Sequence, residues 1–251
     1  MTRVLLALLA FVALTAQRDP ILVPEVSQHE IQVRQGFTGT ELLLYGAILD
    51  PDGRPAQQPY DIVVVLKGPT EAILLREKGK TLGIWVNAHS TAFRSAPSFF
   101  AVASSRPIDQ IVDERTAAIY ELGLDYLQLS PAGAIDPAEQ ARFTSGLVDL
   151  QRREGLYREA AEGVTINEGV LYQARMAVPS NVATGRYTAE TFAIARGRVI
   201  ASAVARVEVR KLGFERFVAQ QAEESPMFYG LFAVCLSLLM GWLAGRVFAL
   251  V

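Results

Sequence analysis

The sequence is poorest in the residues on which most chemistry is built. It has one cysteine, Cys235, and that residue lies inside a C-terminal apolar run, so no disulfide is available to anything outside that run. An extracellular animal domain of this size would ordinarily carry such a staple, whereas a bacterial periplasmic domain with a sizeable core does without it. Sequons for N-glycosylation are missing too, because Asn87, Asn167 and Asn181 all lack Ser or Thr two residues on. There are two histidines, His29 and His89, with no Cys beside them and no carboxylate pattern nearby, which is a poor basis for a metal site. Charge of one sign is absent as well. The chain has 24 Lys+Arg against 26 Asp+Glu, interspersed, for a net charge of −2. That balance offers no basic field to a phosphate backbone and excludes nucleic acid as the expected partner.

Long apolar runs are present, one at each end. Arg3 opens a short positive region, residues 4–14 are apolar, and Ala13, Thr15 and Ala16 supply small residues near a cleavage point. Residues 1–16 therefore read as a secretory signal peptide, too short to span a bilayer comfortably. At the other end residues 227–245 contain no charge, enough for roughly 28 Å of helix. Ser225 and Pro226 form its start, and Arg246 can snorkel to the interface while the last residues complete the helix. Glu223 and Glu224 precede the span and Arg246 lies near its end. Residues 226–251 thus predict a single pass through a bacterial inner membrane, with the C-terminus cytoplasmic and the bulk of the chain periplasmic.

Between the ends the period of the apolar residues changes twice. Residues 17–107 alternate strands with turns: EIQV, TELLLYGAIL, the turn DPDGRP at 50–55, and DIVVVLKGP, whose continuous apolarity suggests burial on both faces. EAILLREKGKTLGIWVN predicts a hairpin reversing near Lys78-Gly79-Lys80, and SFFAVAS adds a strand. From Asp109 the spacing turns helical through Ile111, Val112, Ala118, Ile119, Leu122, Tyr126 and Leu129. A second helix opens at Asp136-Pro137, with Glu139 three residues after the cap and Ala138, Phe143, Leu147 and Leu150 as its inner face. Residues 108–160 therefore predict a helical hairpin inserted between β segments. Strand period returns over 161–212, with Val170, Tyr172, Ala174, Met176 and Val178 on one face, and later Val199, Ala201, Ala203, Ala205, Val207 and Val209. The expected fold class is mainly β: antiparallel immunoglobulin-like sandwich regions, an inserted helical hairpin, a stalk over 213–225 and one C-terminal transmembrane helix. Whether the two β regions build one sandwich or two stays open.

At LKGP (66–69), TLGIWVNAHST (81–91) and APSFFAVASSRP (96–107) the chain resembles an alphaproteobacterial family of transmembrane proteins. The resemblance covers most of the chain, with signal peptide, β-rich exported part and final span in the family's order. It implies an inner-membrane protein facing the periplasm and linked with sulfite-exporter-like permeases. It implies no activity and supplies no catalytic residue.

GIWVNAHSTAFR (83–94) holds the densest set of functional residue types, and Trp85, Asn87, His89 and Arg94 are the candidate partner-binding residues. The plainer reading makes Trp85 core and 87–95 a solvated loop. A triad of Ser90 or Ser104, His89 and Asp61 can be written on paper, but no Gly-x-Ser-x-Gly elbow supports it. Asp109, Asp113, Glu114, Glu121 and Asp125 read as the wet face of a helix rather than as acid–base pairs. Gly241 and Gly245, four apart, form a small-residue notch for helix packing in the span. No catalytic, cofactor or metal residue is expected. The leading expectation is a non-catalytic, membrane-anchored periplasmic module serving a membrane-protein partner or a homo-oligomer. The alternative is a periplasmic anchored enzyme or ligand-binding protein of unknown substrate. A signal receptor is disfavoured by the few residues after Arg246.

Overall fold

The computed structural model describes residues 20–34, 36–49, 59–211, 222 and 225–248; the expected signal peptide, the 50–55 turn and most of the stalk lie outside the described residues. The chain divides into a β body, within residues 1–31 and 38–209, and a second unit that holds the C-terminal helix. The structure is mainly β, with several antiparallel sheets.

The body contains three sheets. β1 (Ile21–Val26), β3 (Gly39–Leu49), β11 (Leu171–Pro179) and β10 (Val164–Asn167) form the first, in the order β1-β3-β11-β10. The second runs β2-β13-β12-β4-β7-β9, from β2 (Glu30–Val33), β13 (Arg198–Lys211), β12 (Gly185–Ala195), β4 (Asp61–Lys67), β7 (Phe100–Ser104) and β9 (Tyr157–Ala160). Strands from both β regions of the sequence therefore share both sheets: β3 pairs β11 and β4 pairs β12. The two regions interleave into one core, which is why neither could close alone. The β7–β9 pair is parallel, unlike every other pair of that sheet with a described register, and departs from an all-antiparallel sandwich.

The period-two pattern of β11 buries Tyr172, Ala174, Met176 and Val178, which pack with Leu42, Leu44 and Ile48 of β3. β10 and β11 lie across β4 and β7 of the second sheet. Burial raises the Tyr172 phenol above its usual range, with Thr191 of β12 beside it. β4 is buried from Ile62 to Leu66, both faces included, as its continuous apolarity predicts. The Tyr187 hydroxyl donates to the carbonyl of Ala183, four residues upstream, at 2.8 Å, a tyrosine-corner contact at the start of β12.

The second face of β4 is covered by the segment between β7 and β9, and here the structure corrects the expected helical hairpin. Instead of one helix from Asp109, the chain makes α1 (Ile108–Ile111), α2 (Glu114–Tyr120) and a 3₁₀ turn (Leu124–Tyr126). Val112 is extended and Glu121 is left-handed with φ 51°, so the helical ladder stops twice. Tyr120 packs on Phe192 at 5.4 Å between ring centroids, and Lys67 pairs with Glu121 at 2.7 Å and Glu190 at 3.6 Å. The acids are thus not one wet face: Asp113 caps α2 by accepting from Thr116 N, and Glu121 is an ion-pair partner. α3 (Pro137–Arg153) starts as expected, with Asp136 accepting from the amides of Ala138 and Glu139. Its buried stripe is Phe143, Leu147 and Gln151, each four apart; Ala138 and Leu150 are exposed, contrary to the expected face.

The second unit carries α4 (Pro226–Phe248), one turn longer than six and about 34 Å along its axis. Tyr229–Arg246 has a mean hydropathy of 1.4 and is the one described stretch long and apolar enough to cross a membrane. Pro226 is its first residue and the Ser225 carbonyl accepts from Tyr229 N, as the start signal predicts. The Arg246 guanidinium lies 5.5 Å from the Trp242 ring, an arrangement that suits the membrane–water boundary.

Candidate functional site

The third sheet, β5-β6-β8, is where the sequence-selected residues fall. β5 (Thr70–Thr81) and β6 (Ile84–Pro97) form a long antiparallel hairpin, and β8 (Ser130–Pro131) pairs only its base. The reversal is at Leu82-Gly83, not at Lys78-Gly79-Lys80. Both turn residues have positive φ, 50° for Leu82 and 85° for Gly83, the combination that a two-residue hairpin with right-handed strand twist requires. Gly79 has a different task. A Cβ there would stand 2.8 Å from the Cβ of Ala88, so the glycine makes room for a bulge in the facing strand.

That bulge decides how the candidate residues are arranged. Lys78 pairs with Asn87 and Glu77 with His89, leaving Ala88 as the extra residue. Directly opposed residues in an antiparallel pair share a face. Trp85 therefore shares a face with Lys80, and Asn87 with Lys78, while His89 joins Glu77 on the opposite face. Arg94 sits at the base, where its Nε donates to the carbonyl of Pro131 at 3.2 Å, nine strand residues or roughly 30 Å from Trp85. The four do not converge on one ligand. Nor is Trp85 core, and 87–95 is strand rather than loop.

The hairpin has two physically distinct halves. Its base is held by Phe93, which is fully buried, by β8, and by Arg142 of α3, whose guanidinium pairs with Glu77 at 3.2 Å. Beyond the Glu77–His89 pair it is a two-stranded ribbon with nothing of the body over either face: residues 80–90 are all exposed. Leu82 is 99% exposed, Ile84 68%, Trp85 66% and Val86 42%. Lys78 and Lys80 stand on the Trp85 face and make no ion pair among the described residues. Between Glu77 and Asp109 the sequence holds no acid at all, so a chain of net charge −2 presents a locally cationic ribbon. An isolated two-stranded ribbon is marginally stable in water. This one carries its largest apolar side chains where they stabilise nothing in the body.

Other candidate chemistry is dispersed. Asp61 is engaged by the guanidinium of Arg106 and by the hydroxyl of Ser105, and these hold its carboxyl below the usual carboxylate range. Ser104 is buried on β7 and His89 projects from the ribbon, so the paper triad is not assembled. No group of three or more His, Cys, Asp or Glu among the described residues could hold a metal ion. His29 lies 3.1 Å from Glu25 on the surface. The largest groove, about 700 Å³, lies between α3 and residues 124–129 and is lined by Leu124, Leu127, Gln140, Thr144, Val148 and Arg152 among others, a mixed wall without a convergent polar set. On α4 nothing lies within 4 Å of where a Cβ would stand at Gly241 or Gly245, so the notch is open.

A search of curated proteins returns no match. The model of the alphaproteobacterial family described as "putative transmembrane protein" matches residues 21–249, taking in the β body and the C-terminal helix alike. The chain belongs to that transmembrane protein family.

Proposed function

We propose that this chain is a non-catalytic, membrane-anchored accessory module, its body in the periplasm and its C-terminus in the cytoplasm, serving a membrane-protein partner such as a sulfite-exporter-like permease. The observation that carries the reading is the β5–β6 ribbon: an apolar, cationic projection that the body does not cover, on a chain with one apolar helix fit to cross a bilayer. Catalysis needs groups converging within hydrogen-bond reach of one another. The candidate polar residues here lie on opposite faces or opposite ends of a strand. The acids before the span and Arg246 near its end support the orientation. The open Gly241/Gly245 notch supplies a surface on which a second transmembrane helix can pack closely.

The test is purification of the full-length chain from native membranes in mild detergent, followed by mass spectrometry. A membrane protein is expected to co-purify in fixed proportion. Gly241→Leu with Gly245→Leu should leave insertion intact, since it raises hydrophobicity, and release that partner. A chain that purifies alone and turns over a small molecule would overturn the reading in favour of an anchored enzyme.

A further inference from the structure

The ribbon's apex is layered, and the order of the layers identifies its occupant. Leu82 and Ile84 stand at the tip, Trp85 is a step behind them, Lys80 is directly opposite Trp85, and Lys78 is two residues further back on the same face. At about 3.3 Å per residue, roughly 7 Å separates the tip from the Trp85–Lys80 pair and another 7 Å reaches Lys78. A bilayer surface has the same sequence of layers: acyl chains, then the level where tryptophan sits, then phosphates, with amphipathic elements entering about 5–10 Å. We propose that the β5–β6 ribbon docks on an anionic lipid surface, with Leu82 and Ile84 inserted, Trp85 at the headgroup boundary, and Lys78 and Lys80 on the phosphates. The inference rests on the proposed function only for the nearness of a membrane; it names what the ribbon touches, and leaves the partner contact to the span.

Two further observations favour lipid over a protein pocket. The first is charge complementarity: the ribbon holds cations and no acid beyond Glu77, and Glu77 is turned to the other face and paired with Arg142. The second is Leu82 itself. A left-handed turn position favours Asn, Asp or Gly, and a leucine there is strained. With its side chain 99% exposed it gains nothing from the fold in return. A bilayer supplies the burial that the body does not.

The experiment uses the full-length chain carrying Trp242→Phe, which leaves Trp85 as its single tryptophan, reconstituted in vesicles of phosphatidylcholine alone or with phosphatidylglycerol. In the anionic vesicles Trp85 emission should shift to the blue and be quenched by lipids brominated near the headgroup. Adding Lys78→Gln and Lys80→Gln should lower the docked-to-free ratio about thirty-fold, at roughly one decade or less per lysine near an anionic surface. Water-like, unquenched emission in both vesicles overturns the proposal. A photo-crosslinking residue placed at position 82 in intact cells separates the two readings. An adduct of phospholipid mass supports lipid docking. A protein adduct, whether a partner or a second copy, overturns it and leaves the accessory-module reading standing. Absence of any adduct beside a retained co-purifying partner also overturns the ribbon proposal alone.

Discussion

β4 and the outer half of β6 are both apolar strands, and the protein treats them oppositely. In β4 every residue from Ile62 to Leu66 is sealed between the first sheet and the covering segment of α1 and α2. In β6 the run Ile84, Trp85, Val86 has comparable hydrophobicity and is open to solvent. Local sequence makes both into strands, since β-branched and aromatic residues fit a pleated backbone wherever it lies. Burial is conferred by topology: β4 sits mid-sheet between β12 and β7, whereas the ribbon extends beyond the last strand able to flank it. An apolar run that the topology leaves uncovered is a surface, and the difference separates what folds this protein from what it offers to its surroundings.

The largest effect comes from placing one charge in each strand. Val64→Asp puts an unpaired carboxylate where no water reaches and should cost more than about 4 kcal/mol, enough to prevent folding of a domain of ordinary stability. Ile84→Asp should change stability by about 0.5 kcal/mol or less. Urea unfolding of the two full-length variants in the same detergent measures both. Equal losses would show that the ribbon is part of the core.

A smaller effect separates the hairpin's base from its outer half. The Tyr157 hydroxyl donates to the carbonyl of Pro97, the last residue of β6, at 2.7 Å, tying the root of the hairpin to β9. Tyr157→Phe removes that bond and strands a buried acceptor, at about 1–2 kcal/mol, or roughly 2–8 °C in Tm for a body of this size. Asn87→Ala on the exposed half should leave Tm unchanged, and thermal melts of the pair check this.

High pH should sort the same two regions without mutation. Burial pushes Tyr60 and Tyr187 up to about 12 and Tyr157 and Tyr172 upward as well, so the folded state keeps these phenols neutral. In the unfolded chain they ionise near the ordinary value of about 10. The folded-state values are raised, so the stability they confer is full below about pH 10 and is lost as pH climbs toward 12. Phenolate absorbance should rise in two phases, the second coinciding with loss of the β circular dichroism signal. The ribbon contains no tyrosine, so this transition reports the body alone.

What could be read from the residues, and what could not, follows the same line. The alternation of β13, the cap at Asp136-Pro137, the both-faces burial of β4 and the start of α4 at Pro226 are local patterns, and each appears where its pattern lies. The breaks at Val112 and Glu121 were hidden because neither carries Gly or Pro; Glu121 goes left-handed while its carboxylate meets Lys67, a partner 54 residues away. The pairing of β3 with β11 and the parallel β7–β9 ladder are likewise properties of contact. At the candidate site the residue types around Trp85 signalled an interaction surface. Their division between two faces depended on a bulge that no residue type announces. The turn was misplaced because Lys-Gly-Lys carries turn chemistry and Leu-Gly carries half of it.

That misplaced turn yields the smallest and most discriminating effect. Leu82→Asn followed by the native Gly83 is the dipeptide a two-residue hairpin of this geometry favours. Asparagine tolerates positive φ where leucine is strained by about 1 kcal/mol, and no packing is lost because Leu82 touches nothing. The variant should therefore be as stable as the parent or more so, by up to about 1 kcal/mol. Amide exchange in residues 78–90 should slow, since those hydrogen bonds report the ribbon's own opening. If the body were the only beneficiary of this sequence, asparagine would be the better residue in every respect. The expectation is the opposite for function: the stabilised ribbon should lose its hold on the membrane surface, read as weaker quenching of Trp85 by brominated lipid. A variant that is both more ordered and undiminished in contact would show that Leu82 is incidental, and would shift the ribbon's adhesion onto Ile84 and Trp85.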